Sequence, residues 1–346
     1  MKSSYLRSSI TWTLAIAAMA SAVHSASGAS PVYQLRKSIA VGGDGGWDYL
    51  SVDESARRLY VSHGNKLAVV DIENERVIGE ITNTPGVHGI AIASNLKRGF
   101  TSNGGESKSS MVDLTTLQTL SKIGTGQGPD GMLYEPATHE VYLFNGRGQS
   151  ATVIDAQSAK VVATIPLGGK PEFATADPGV HRLYNNLEDK NEIAVIDTQS
   201  HKVVNHWPIA PAEEPSGMAI DLAHKRLFLG CGGSKTMIMV DSESGKTVAS
   251  VPIGDGVDAN AFDPETQLAF ASCGDGTVTI AHEDAPDKLT VVQTLKTERG
   301  ARTMTLDTKT HRIYLASAEF APAAPGERRG KMTPDSFKIL VYEMAK

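Results

Sequence analysis

Residues 256–274 read GVDANAFDPETQLAFASCG, and the phrase returns with other letters as RTMTLDTKTHRIYLAS near the end of the chain and WDYLSVDESARRLYVS near its start. Each version sets two short alternating apolar stretches on either side of a polar turn, the pattern of half-buried strands joined as a hairpin. Taking as anchor the residue seven before the aromatic of each apolar pair gives Asp53, Ala93, Glu135, Asp177, Asp221, Asp263 and Asp307, spaced 40 to 44 residues apart. The matching aromatics are Tyr60, Phe100, Tyr142, Tyr184, Phe228, Phe270 and Tyr314. The fifth copy contains four strand-like stretches, GMAID, RLFLG, MIMVD and TVASVPIG. A period near forty with four strands per unit predicts an all-β, seven-bladed β-propeller with four-stranded blades.

The chain ends fit this count. The last copy stops after its third strand, FKILVYEM, and the first is preceded by an orphan outer strand, YQLRKSIAVGG. The N-terminal strand is therefore expected to join the C-terminal blade, making residues 32–346 one propeller domain. Closure removes the open sheet edge, so a monomer is expected.

The repeats resemble those of the YVTN-repeat, YncE-like seven-bladed propellers, most visibly in EIAVIDTQSHKVVNHWPIAPAEEPSGMAIDLAHKRLFLG and KTMIMVDSESGKTVASVPIGDG. The resemblance covers essentially the whole chain after residue 31 and implies the fold. Propellers of this texture include nucleic-acid binders, lactonases, cofactor-bearing dehydrogenases and adhesion modules, so the family name does not choose a function.

The first thirty residues, MKSSYLRSSITWTLAIAAMASAVHSASGAS, carry Lys2 and Arg7, then an apolar run, then small residues. This is the build of an export signal over residues 1–28, with cleavage after Ala20, Ser25 or Gly28. A periplasmic or secreted protein is expected, and no later stretch is long and apolar enough to span a membrane. The formal charge is 33 minus 39, or −6, and removal of Lys2 and Arg7 makes it −8. With that charge, no basic run, and only Trp47 and Trp207 left for base stacking, nucleic acid is a poor partner.

The innermost strand of a blade lines the central channel, so the residue five before each anchor should stand at the channel mouth. Those residues are Asp48, His88, Asp130, Glu172, Ser216, Asp258 and Arg302, none of them apolar. Ten residues after each anchor the second strand should return to the same face, at His63, Asn103, Asn145, Leu187, Cys231, Cys273 and Ser317. Convergence of ionisable groups of both signs on one concavity points to a small-molecule ligand, polar or anionic. The expected binding set is Trp47, Asp48, His63, His88, Asn103, Asp130, Asn145, Glu172, Asp258 and Arg302, with Trp47 as a flat apolar wall. Glu213, Glu214 and Arg299 stand in loops on this side, and the Pro- and Gly-rich insertion AEFAPAAPGERRGKMTPDS in the last copy is placed to cover a ligand.

Two classes of function stay open. In a binding module these residues only hold the ligand. In a metal-assisted, lactonase-like hydrolase or lyase, His63, His88, Asp130 and Glu172 would supply ligands to a divalent cation. His88 or Glu172 would then move a proton and Arg302 would meet the developing anion. No GxSxG elbow or CxxCH motif is present. Cys231 and Cys273, on equivalent strands of neighbouring blades, are expected to be free thiols. His139, His181, His224 and His311, three or four residues past an anchor, are expected in turns on the opposite face. Asp71, Asp113, Asp155, Asp197 and Asp241 end third strands, where Asp bonds its own backbone.

Overall fold

The computed structural model describes residue 1 and residues 33–322 and 330–345. The expected export signal and its cleavage site therefore lie, Met1 aside, outside the described residues. Seven four-stranded antiparallel sheets form a seven-bladed β-propeller. Blade 1, for example, runs outward from the channel as Leu50–Asp53, Arg58–His63, Lys66–Asp71 and Arg76–Ile81. Neighbouring innermost strands contact one another around the ring, the last meeting the first. Blade 7 is closed as expected: Tyr33–Ala40 pairs antiparallel with Lys338–Met344, outside Arg312–Ser317 and Met304–Asp307.

Every anchor is the last residue of an innermost strand. The aromatics seven residues on are at most 2% exposed and pack between blades, which is why one aromatic recurs per copy. Burying a Tyr or Phe this fully contributes about 2–3 kcal/mol relative to leaving it in water. The turn after each anchor ends in a left-handed residue: Arg57, Lys97, His139, His181, Lys225, Gln267 and His311 all have φ between 52° and 59°. The turn histidines at 139, 181 and 311 are thus backbone positions first. Asp71, Asp113, Asp155, Asp197 and Asp241 each accept backbone N–H bonds from the turn that follows, at 2.6–3.2 Å. Serine side-chain bonds first at Asp155, Asp197 and Asp241, and these backbone bonds at all five, lower the carboxyls, Asp197 to about 2.

Some turn residues also reach to the preceding blade. The Arg57 guanidinium donates to both oxygens of Asp307 at 2.8 and 2.7 Å, joining blade 1 to blade 7. Lys225 reaches Asp177 at 2.7 Å, and His311 Nδ1 lies 2.7 Å from Asp263. In these three links an anchor acid thus takes a basic side chain from the next blade.

Candidate functional site at the channel mouth

The innermost strands of blades 2 to 6 do not run straight into the mouth. Their register slips between Val87 and Ile90, Pro129 and Met132, Pro171 and Ala174, Pro215 and Met218, and Val257 and Ala259. Each slip is an irregularity of the β-bulge kind that spans the residue five before the anchor. A bulge releases its residue from the ladder and re-aims the side chain. In blades 1 and 7 the strand starts only at Leu50 and Met304, so Asp48 and Arg302 precede it and are free of the ladder in another way. All seven residues, Asp48, His88, Asp130, Glu172, Ser216, Asp258 and Arg302, line one cavity of about 300 Å³.

The second set behaves differently. Asn103, Asn145, Leu187, Cys231 and Cys273 are paired in the ladder, opposite Val87, Pro129, Pro171, Pro215 and Val257. The two ends of the phrase do meet, but pairing buries the second-strand side chains within the sheets and none of them lines the mouth cavity. Asn103 and Asn145 are fully buried and bond to Ser110 and to Ser150 and Thr152. Ser317 is likewise buried and donates to Glu298. His63 is 1% exposed, stacked on Phe337 at a centroid distance of 4.1 Å, and among the described residues neither ring nitrogen has a hydrogen-bond partner. Burial lowers its pKa. Of the expected cation set, His88 and Asp130 converge at the mouth, where their ligating atoms and that of Asp48 lie within 4.8 Å of one another; His63 and Glu172 are not in that group.

Trp47 occupies the position equivalent to Val87 and Pro129. It packs against Phe337 and Phe320, with centroids 5.2 and 6.1 Å away, and lines a neighbouring cavity of about 770 Å³ with Met332 and Arg302. Phe320 and Met332 belong to the blade 7 insertion and bridge each other across it. Arg302 lines both cavities. Cys231 and Cys273 are free and buried, and burial pushes both thiols up to about 12.

Four lining residues were not singled out from the sequence: Tyr49, Phe173, Lys170 and Glu188. Tyr49 and Phe173 pack with ring centroids 4.5 Å apart and planes tilted by 35°, and supply aromatic surface in the cavity wall. The equivalent position in blades 2 and 3 is Gly89 and Gly131, where an added Cβ would stand 2.8 Å from the Tyr49 Cβ and 3.4 Å from its hydroxyl. Two aromatics at a position otherwise given to small residues were the available signal. Lys170, between Glu172 at 2.8 Å and Glu188, had none, because it stands in a loop of variable composition.

The electrostatics follow from crowding acids in a half-buried funnel. His88 Nδ1 lies 2.7 Å from Asp48 and 3.2 Å from Asp130. Burial alone would lower the imidazole, but the bond to Asp48 and the charges of Asp130, Asp48 and Glu172 outweigh it, and the pKa rises. Burial pushes Asp130 up to about 6 even against the pull of His88. Burial, then repulsion from Asp130, pushes Glu172 up to about 7. Asp48 and Asp258 also rise by burial, opposed mainly by His88 and by Arg302, the latter 3.1 Å from Asp258. Five carboxyl groups therefore face Lys170, Arg302 and His88. Such a site accepts hydrogen bonds readily, exchanges protons near neutrality and can hold a cation.

A scan of protein-family models finds no match to the chain, and a search of curated proteins finds none either.

Proposed function

We propose that the protein is an exported propeller of the YVTN-repeat type whose channel mouth binds a small polar organic molecule. One observation carries this reading: one residue from each of seven blades, released from its ladder by a bulge or a late strand start, faces a single cavity lined in part by aromatics. The excess of carboxyl groups favours a ligand that presents amine or hydroxyl donors. An anionic part of the same ligand would meet Arg302, whose side chain is 53% exposed. The build of residues 1–28 supports export.

The second reading, a metal-assisted hydrolase or lyase, draws on the convergence of Asp48, His88 and Asp130. Two carboxylates and an imidazole suit a divalent cation, which would polarise a substrate oxygen or acidify a bound water. Glu172, with a pKa near 7, would carry the proton.

The test is a thermal-shift panel of amines, amino acids, polyols, small carboxylates and divalent cations, run on the wild type and on Asp130→Asn/Glu172→Gln. A ligand whose shift disappears in the variant supports binding at the mouth. A panel with no shift, or with shifts the variant leaves untouched, removes the proposal. Lactone hydrolysis that His88→Gln abolishes, with circular dichroism unchanged, would move the conclusion to the enzyme.

A further inference from the structure

At the opposite end of blade 5, Asp221 lacks, among the described residues, the cross-blade link that Asp177, Asp263 and Asp307 have. The residue that would reach it from blade 6, equivalent to Arg57, Lys225 and His311, is Gln267. Gln267 donates to Pro264 instead, and its side-chain oxygen is unpartnered among the described residues. No cation reaches Asp221 by that route.

A second carboxylate stands there. In blades 1 to 5 the backbone N–H that bonds the left-handed turn residue belongs to Ile72, Leu114, Ala156, Thr198 or Ser242, all uncharged and buried. In blade 6 the third strand is longer, Thr277–Ala285, and the N–H at that place belongs to Glu283, bonded to Gln267 O at 2.9 Å. Glu283 is 4% exposed, and neither of its carboxylate oxygens has a hydrogen-bond partner among the described residues; Asp221 Oδ2 has none either. His224, in the turn above, places Nδ1 2.7 Å from Asp221 Oδ2 and 3.2 Å from Glu283 Oε1, without hydrogen-bond alignment to either. The two neighbouring cations are committed elsewhere, Lys225 to Asp177 and Arg226 to Asp241. Two buried carboxylates that share one imidazole, with no Lys or Arg committed to them among the described residues, are costly, because a buried charge needs a partner.

We propose that Asp221, His224 and Glu283 bind a divalent transition-metal ion that ties blade 5 to blade 6. Their ligating atoms lie within 4.8 Å of one another. An imidazole with two carboxylates selects Zn²⁺ or Mn²⁺ over Ca²⁺ and Mg²⁺, which prefer all-oxygen sites. The exposed edge of His224 gives the ion a route in, and the site is separate from the mouth and independent of the function proposed for it.

The test uses the full chain stripped with chelator and carrying Asp48→Asn and His88→Gln, so that the mouth triplet is disabled. Zn²⁺ and Mn²⁺ are titrated by calorimetry, with melting temperature as a second readout. One equivalent should bind and raise the melting temperature, and adding Glu283→Gln or the surface change His224→Gln should abolish both effects. Binding that survives both substitutions, or no binding in the starting protein, overturns the proposal. Absence of binding combined with a higher metal-free melting temperature for Glu283→Gln would assign the gap to a proton shared by the two carboxyls.

Discussion

At the channel mouth, Asp130 and Glu172 are pushed up to about 6 and about 7, whereas at the other end of the innermost strands Asp307, fully buried, stays below its usual range. Burial raises all three. What differs is the neighbour: Arg57 forks onto Asp307 with two short bonds, while the mouth acids face one another across a funnel with too few cations. The same residue type thus fastens the ring at one end and remains chemically available at the other. Glu283, beside Asp221, is an acid at the fastening end that is built like a mouth acid, buried and without a hydrogen-bond partner among the described residues.

The largest effect should come from breaking a fastening. Arg57→Ala leaves Asp307 buried without its cation and removes one of the links between blade 1 and blade 7. It should destabilise the protein by about 3–5 kcal/mol in urea denaturation. A loss below about 1 kcal/mol would show that the link is incidental.

The mouth should respond in the other direction. For a carboxyl whose folded pKa is raised, the folded chain keeps protons that the unfolded chain has released, so its contribution to stability falls as pH rises from about 4 toward 7. Asp130→Asn/Glu172→Gln should therefore be more stable than wild type at pH 7.5, by on the order of 1–3 kcal/mol, and equal to it near pH 4. Calorimetry across that range would refute the crowding argument if the two curves ran parallel. The turn acids provide the control, with their pKa values lowered: their contribution is present above pH 4 and lost as pH falls toward 2. Asp241→Ala should lower the melting temperature by about 1–2 °C at pH 7 and by nothing at pH 2.

The smallest change should come from His63→Phe. Two unpaired buried nitrogens are removed and the stack on Phe337 is kept. Stability should hold or rise by less than about 1 kcal/mol, and ligand shifts at the mouth should be unaffected. Loss of those shifts would return His63 to the site.

Period, strand count, closure and the seven mouth residues were legible because each blade repeats one solution, so departures from the repeat stand out against it. The side of the ladder on which a side chain lies was not. His88 and Asn103 stand at the two ends of one hairpin, yet the first is freed by a bulge and the second is locked opposite Val87. Bulges leave no reliable mark in a single strand's letters. Lys170 and Glu188 enter the site because two loops of blade 4 happen to meet, a contact no local pattern encodes.

The amino-acid sequence by itself determined a seven-fold ring with its chain ends sharing a blade, since apolar alternation and an aromatic every 40 to 44 residues leave few other ways to bury the surface. Only the tertiary structure decided which polar residues meet, because charges on different blades interact through distances set by ring closure and by bulges. That is why His88 came to lie between Asp48 and Asp130 rather than beside His63, and why Glu283 faces Asp221.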